Sequence, residues 1–105
     1  MRKSSILIRI KRLALAGRLE FTEKADLEML RDNITEDMVR EALLSADFIL
    51  KTIRSTRPHS RAREYLYVIV GRCWSGIIIY TKGRFEYSDG EEKYYVLVSS
   101  KRFLD

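Results

Sequence analysis

Phe85-Glu86-Tyr87-Ser88-Asp89-Gly90-Glu91-Glu92-Lys93-Tyr94 is the stretch that decides the fold. Asp-Gly between two extended runs is a hairpin signal, because both central positions of the favoured two-residue turn need positive φ. Downstream, Tyr94–Lys101 sets Tyr95, Leu97 and Ser99 against Tyr94, Val96, Val98 and Ser100, the period of two that a strand requires. Upstream, β-branched and aromatic residues mark Phe48–Arg54, Glu64–Val70 and Ile77–Lys82 as further strands. A polar loop containing Pro58 (residues 55–62) and a turn at Gly71–Gly76 separate them. Consecutive strands with short connections predict an antiparallel sheet of about four strands.

The first half has a different period. Ile6, Ile10 and Leu13 recur at helical spacing between Arg9, Lys11 and Arg12, and Gly17 suits the residue past a helix end. Arg18–Phe21 reads as a short extended link. Thr22 is an N-cap candidate with Glu23 in the first turn, ahead of a face formed by Leu27, Leu30 and Ile34 with Ala25 and Met29. Asp32-Asn33 breaks that helix, and Thr35 caps another carrying Met38, Val39, Ala42 and Leu43. The expected fold is α+β, with two or three N-terminal helices packed on one face of the C-terminal sheet.

The 105 residues fit a single domain spanning 1–105, and 46% hydrophobic residues suffice for a packed core. Cys73 is the single cysteine, so no internal disulfide forms, in keeping with a reducing cytoplasm. Arg9, Lys11 and Arg12 interrupt any apolar run that would serve as a secretory signal, and runs such as Tyr65–Val70 are far below the roughly 20 residues of a membrane span. Net charge is +5, distributed as +5 over residues 1–21, −4 over 22–46 and +4 over 47–105. Such polarity can steer a polyanion to one face.

One histidine and one cysteine cannot make a Cys/His zinc site, and neither standard glycine-rich phosphate loop is present. No metal or cofactor is expected. What remains is a basic and aromatic set on the sheet half. Arg54, Arg57, Arg61 and Arg63 occur without an intervening acid; Lys51, Lys82, Arg84, Lys101 and Arg102 lie on or beside strands. Tyr65, Tyr67, Trp74, Tyr80, Tyr87, Tyr94 and Tyr95 are interleaved with them. Cations neutralise phosphates and exposed rings stack unpaired bases, so the set suits RNA, although part of the aromatic content must serve the core. RNA cleavage needs a base for the 2′-OH, positive charge at the phosphorane and a proton for the 5′-oxygen. Lysine, arginine and tyrosine supply these without metal when crowding brings a pKa toward working pH.

The segments Ile8-Arg9-Ile10-Lys11-Arg12-Leu13, Ala16-Gly17-Arg18, Thr22–Ala25, Ser45-Ala46-Asp47-Phe48, Glu64-Tyr65-Leu66-Tyr67, Ile79-Tyr80-Thr81-Lys82 and Val98-Ser99-Ser100-Lys101 together resemble MqsR-type toxins of bacterial toxin–antitoxin pairs, within the RelE-like ribonuclease group. The resemblance implies a RelE-like fold and a metal-independent endoribonuclease that cleaves mRNA, free or on the ribosome, and is held inactive by a cognate antitoxin. It implies catalytic roles for Lys51, Tyr80 and Lys101. A family glutamine has no counterpart; Arg63 or Arg61 occupies its neighbourhood, and Arg63 joins the catalytic candidates. One extra residue in Phe48–Lys51 and a longer Arg84–Lys93 hairpin also depart from the family pattern. Arg54, Arg57, Arg61, Lys82 and His59 are the RNA-binding candidates, with His59 also a general acid or base candidate. The alternative reading is a non-catalytic RNA- or protein-binding module.

Overall fold

The computed structural model describes residues 3–55 and 64–104. In chain order the elements are α1 (Lys3–Leu15), β1 (Leu19–Phe21), α2 (Glu23–Asp32), α3 (Glu36–Ser45), β2 (Lys51–Arg54), β3 (Tyr65–Arg72), β4 (Ile78–Ser88) and β5 (Glu91–Arg102). This is the expected α+β arrangement, with three helices on one face of a five-stranded sheet ordered β1-β5-β4-β3-β2. The additional strand is the Arg18–Phe21 link, whose residues 19–21 pair parallel to β5. All other pairings are antiparallel.

Helix ends follow the local chemistry. Thr22 and Thr35 accept from the amides of Ala25 and Met38 through their hydroxyls. Asn33 at φ 58° closes α2, its amide reaching the Leu30 and Met29 carbonyls. The buried stripe of α1 is Leu7, Ile10 and Ala14, and that of α3 is Val39, Ala42 and Leu43. These meet Tyr67 and Ile69 of β3, Ile79 and Phe85 of β4, and Tyr95 and Leu97 of β5. Gly71 lets α3 approach this closely, since a Cβ there would lie 1.9 Å from the Ala42 carbonyl oxygen.

Three sequence expectations change. Leu27 and Leu30 were expected in the buried face of α2, yet they are 58% and 79% exposed; Ala25 and Met29 hold the interface instead. The strand expected from Phe48 begins at Lys51, because Ile49 drops into the core while Phe48 and Leu50 face solvent. The third strand, expected to end at Lys82, and the first arm of the hairpin, expected from Phe85, form one continuous β4 through Gly83. A Cβ at Gly83 would meet the Tyr95 ring at 2.6 Å. The glycine is there to seat that ring. The hairpin at Asp89-Gly90 has positive φ at both residues, 54° and 80°, as its twist demands.

Strand β5 contains two register shifts against β4. Lys82 pairs with Ser99 and Gly83 with Leu97, leaving Val98 as an extra residue; Glu86 pairs with Tyr94 and Tyr87 with Glu92, leaving Lys93. Each is a bulge, and each exchanges the faces toward which subsequent side chains point. At the hairpin end the exchange turns Glu92 toward α1, where it takes a bidentate hydrogen bond from Arg9.

Candidate nucleic-acid interface

The helix-side residues of β3, β4 and β5 leave the alternate positions on the other face of the sheet, which no described element covers. Directly opposed residues in neighbouring strands share a face, so the registers map this open surface. One row runs Lys51, Val68, Lys82 across β2, β3 and β4. The next runs Val70, Tyr80, Lys101 across β3, β4 and β5. A third places Arg72 beside Ile78, and Ile78 accepts a backbone bond from Phe103 at 2.9 Å. Val68 and Val96 are buried without belonging to the helix-side core, so long cationic side chains stand over an aliphatic floor.

Lys51, Tyr80, Lys82 and Lys101 are therefore neighbours on one face, with outer strands separated by three strand spacings, roughly 14 Å. The Lys101 ammonium lies 5.4 Å from the Tyr80 ring centroid, in the range of a cation–π contact. Among the described residues, Lys51, Lys82 and Lys101 form no ion pair, whereas Arg84 is paired with Glu86 at 2.5 Å and Arg9 with Glu92. Three cations at one surface, none of them in an ion pair among the described residues, form a phosphate-attracting field. Arg54 is exposed at the end of β2, beyond Lys51. Arg57, His59, Arg61 and Arg63 lie outside the described residues.

At the Tyr80–Lys101 end the face opens into a cleft of about 600 Å³, lined also by Arg31, Arg102, Phe103 and Leu104. Its volume is within the range of small-ligand sites. Asp32 organises the rim. Its carboxylate accepts from the Arg31 guanidinium at 2.9 Å and from the Arg102 amide at 2.9 Å, and these bonds, in that order, hold it below its ordinary pKa. The sequence reading did not single out Arg31, Arg72 or Phe103. Phe103 follows the last recognisable alternation, and only its pairing with Ile78 brings it to this face.

Behind the site, Glu28 of α2 reaches β5. Oε1 accepts from the Ser99 hydroxyl at 2.8 Å and from the Ser100 amide at 3.1 Å. Burial pushes the Glu28 carboxyl upward, but the Ser99 and Ser100 bonds, with Lys24 and Lys101 nearby, bring it below its ordinary value.

Several aromatic candidates belong to the core. Tyr67 and Tyr95 are buried and stack edge-on against Phe85. Tyr87 instead donates to Glu92 at 3.2 Å. Trp74 is 80% exposed in the β3–β4 turn. Cys73 is buried beside Ser75. Among the described residues no group of three or more His, Cys, Asp or Glu side chains is arranged to hold a metal ion, and no helix is long and apolar enough to cross a membrane. Comparison with protein-family models, with curated proteins and with solved structures finds no match to this chain.

Proposed function

We propose that the open sheet face binds single-stranded RNA and cleaves it without metal, as the toxin of a bacterial toxin–antitoxin pair acting on mRNA in the cytoplasm. The observation that carries this reading is the placement of Lys51, Tyr80, Lys82 and Lys101 on one face that no described element covers, the lysines in no ion pair among the described residues. The acidic first turn of α3, with Glu36 and Asp37, would help orient a polyanion toward the opposite, basic face. The resemblance to MqsR-type toxins through Ile79-Tyr80-Thr81-Lys82 and Val98-Ser99-Ser100-Lys101 supplies the remaining support.

In the proposed reaction the ribose 2′-oxygen loses its proton to a site base and bonds to phosphorus. The bond from phosphorus to the 5′-oxygen breaks, and that oxygen takes up a proton. The products are a 2′,3′-cyclic phosphate and a 5′-hydroxyl, with no water consumed. Lys101, Lys82 and Lys51 would stabilise the charge on the equatorial phosphate oxygens. The Tyr80 phenol would relay a proton or its ring would stack a base, and the cleft beside it would receive the nucleotide, with Phe103 as a second ring.

Incubating purified protein with end-labelled single-stranded RNA in EDTA tests this. Cyclic-phosphate ends are expected, abolished by Lys101→Ala and strongly reduced by Tyr80→Phe in proteins that remain folded. RNA left intact both in buffer and in a translating extract would overturn the ribonuclease reading. Salt-dependent binding without cleavage would then identify a binding module.

A further inference from the structure

The face toward which Lys101 points is not the one that simple alternation along β5 assigns. Tyr95 and Leu97 are fully buried on the helix side, so an unbroken strand would send residues 99 and 101 the same way. Instead Lys101 pairs with Tyr80 and lies over its ring. The inserted Val98 makes the difference, because one extra residue reverses the facing of everything after it.

On the edge of β5 away from β4, the β1–α2 segment holds the bulged stretch in place. The Thr22 amide bonds the Leu97 carbonyl at 3.0 Å, and the Thr22 hydroxyl reaches the Val98 carbonyl at 3.4 Å. Two turns further along α2, Glu28 returns to the strand. Its Oε1 takes both the Ser99 hydroxyl and the Ser100 amide, the two residues immediately before Lys101. With only a ninth of its side chain exposed, this carboxylate has little other access to solvent donors.

We propose that Glu28 is the positioning residue of the site: by clamping Ser99 and Ser100 it holds the Val98 bulge in the form that delivers Lys101 to Tyr80 on the RNA face. This rests on the reading of Lys101 and Tyr80 as site residues, but the clamp itself can be measured without RNA. Because a single oxygen accepts both bonds, the clamp needs an acceptor at the correct reach rather than a negative charge. Glu28→Gln keeps that reach without the charge; Glu28→Asp keeps the charge one methylene short; Glu28→Ala keeps neither.

The deciding experiment is side-chain NMR of the full chain in each variant, with folding verified by amide dispersion. The Lys101 ε-methylene protons, shifted upfield by the Tyr80 ring, are the readout, and a Tyr80→Leu variant defines the unshifted position. Wild type and Glu28→Gln should show the ring shift, while Glu28→Ala and Glu28→Asp should lose most of it. In cleavage assays the latter two should fall on the order of 100-fold, the scale of an ångström misplacement, with Glu28→Gln close to wild type. Retention of the full shift in Glu28→Ala, or its retention in Asp with loss in Gln, would overturn the proposal; the second pattern means simple attraction between Glu28 and Lys101. Should Glu28→Ala not fold, the Gln and Asp pair decides alone. If wild type shows the shift pattern but cleaves no RNA, the ribonuclease reading fails and the positioning role stands.

Discussion

At the scale of single residues, Tyr95 and Gly83 form a close fit between neighbouring strands. The Tyr95 ring occupies the space where any larger residue at 83 would place its Cβ, at 2.6 Å. Gly83→Ala should therefore destabilise by about 1–3 kcal/mol through overpacking, read from chemical denaturation. The same ring carries a hydroxyl with no hydrogen-bond partner among the described residues, in a side chain with no exposed surface. Burial, reinforced by Tyr67, pushes this phenol far above its ordinary pKa, so it stays protonated throughout the working range. An unmade buried hydrogen bond opposes folding. Tyr95→Phe should accordingly match or exceed the stability of wild type by up to about 1 kcal/mol. A fall of several degrees in melting temperature would show instead that the hydroxyl is engaged.

At the scale of elements, α2 and β5 act as a pair. Thr22 ends β1, caps α2 and touches the bulge, so Thr22→Ala removes more than a cap. A loss somewhat above the usual ~1 kcal/mol for a threonine cap is expected in thermal unfolding. The pairing also has a pH signature. The Glu28 carboxyl is held below its ordinary value when folded, so its contribution is complete above the unfolded pKa, about 4.3, and disappears as pH falls through the folded one. Between the unfolded value and the lower folded one, the stability of wild type should decline more steeply than that of Glu28→Gln, which has no carboxyl to protonate there. Parallel acid titrations that superimpose would remove the linkage.

At the scale of the whole molecule, the proposed RNA binding should follow counterion release. Replacing Lys51, Lys82 or Lys101 by Ala should each lower the slope of log affinity against log salt by about one, while Lys24→Ala on α2 should not. Much of this organisation was legible in the sequence. The Asp89-Gly90 turn, the threonine caps and the helical stripes of α1 and α3 are local signals, each decided within a few residues, and they gave the fold class. The strand lysines and Tyr80 were legible as residue types. What was not legible depended on distance along the chain: β1 is a strand because β5 offers it an edge, Ile77–Lys82 and the Phe85 hairpin arm read as separate because the Tyr95 ring that Gly83 accommodates lies twelve residues away, and Leu27 and Leu30 matched a helical stripe that the β5 surface did not need. Lys101 was the subtlest case. Its placement depends on the inserted Val98, which no pattern of alternation in Tyr94–Lys101 reveals.

The two extra residues in β5 make the strand behave like text read in frame. Its middle, fixed by Tyr95 and Leu97, sets the phase, and Lys93 and Val98 are the points where the phase changes on either side. Loss of Val98 would scramble only the C-terminal end, turning Lys101 inward while Glu92 kept its bond with Arg9. Loss of Lys93 would do the reverse, freeing α1 from the hairpin and leaving the Tyr80–Lys101 end unaltered. A one-residue deletion in this strand is thus a directional lesion, and the helix anchor and the basic face can be lost one at a time.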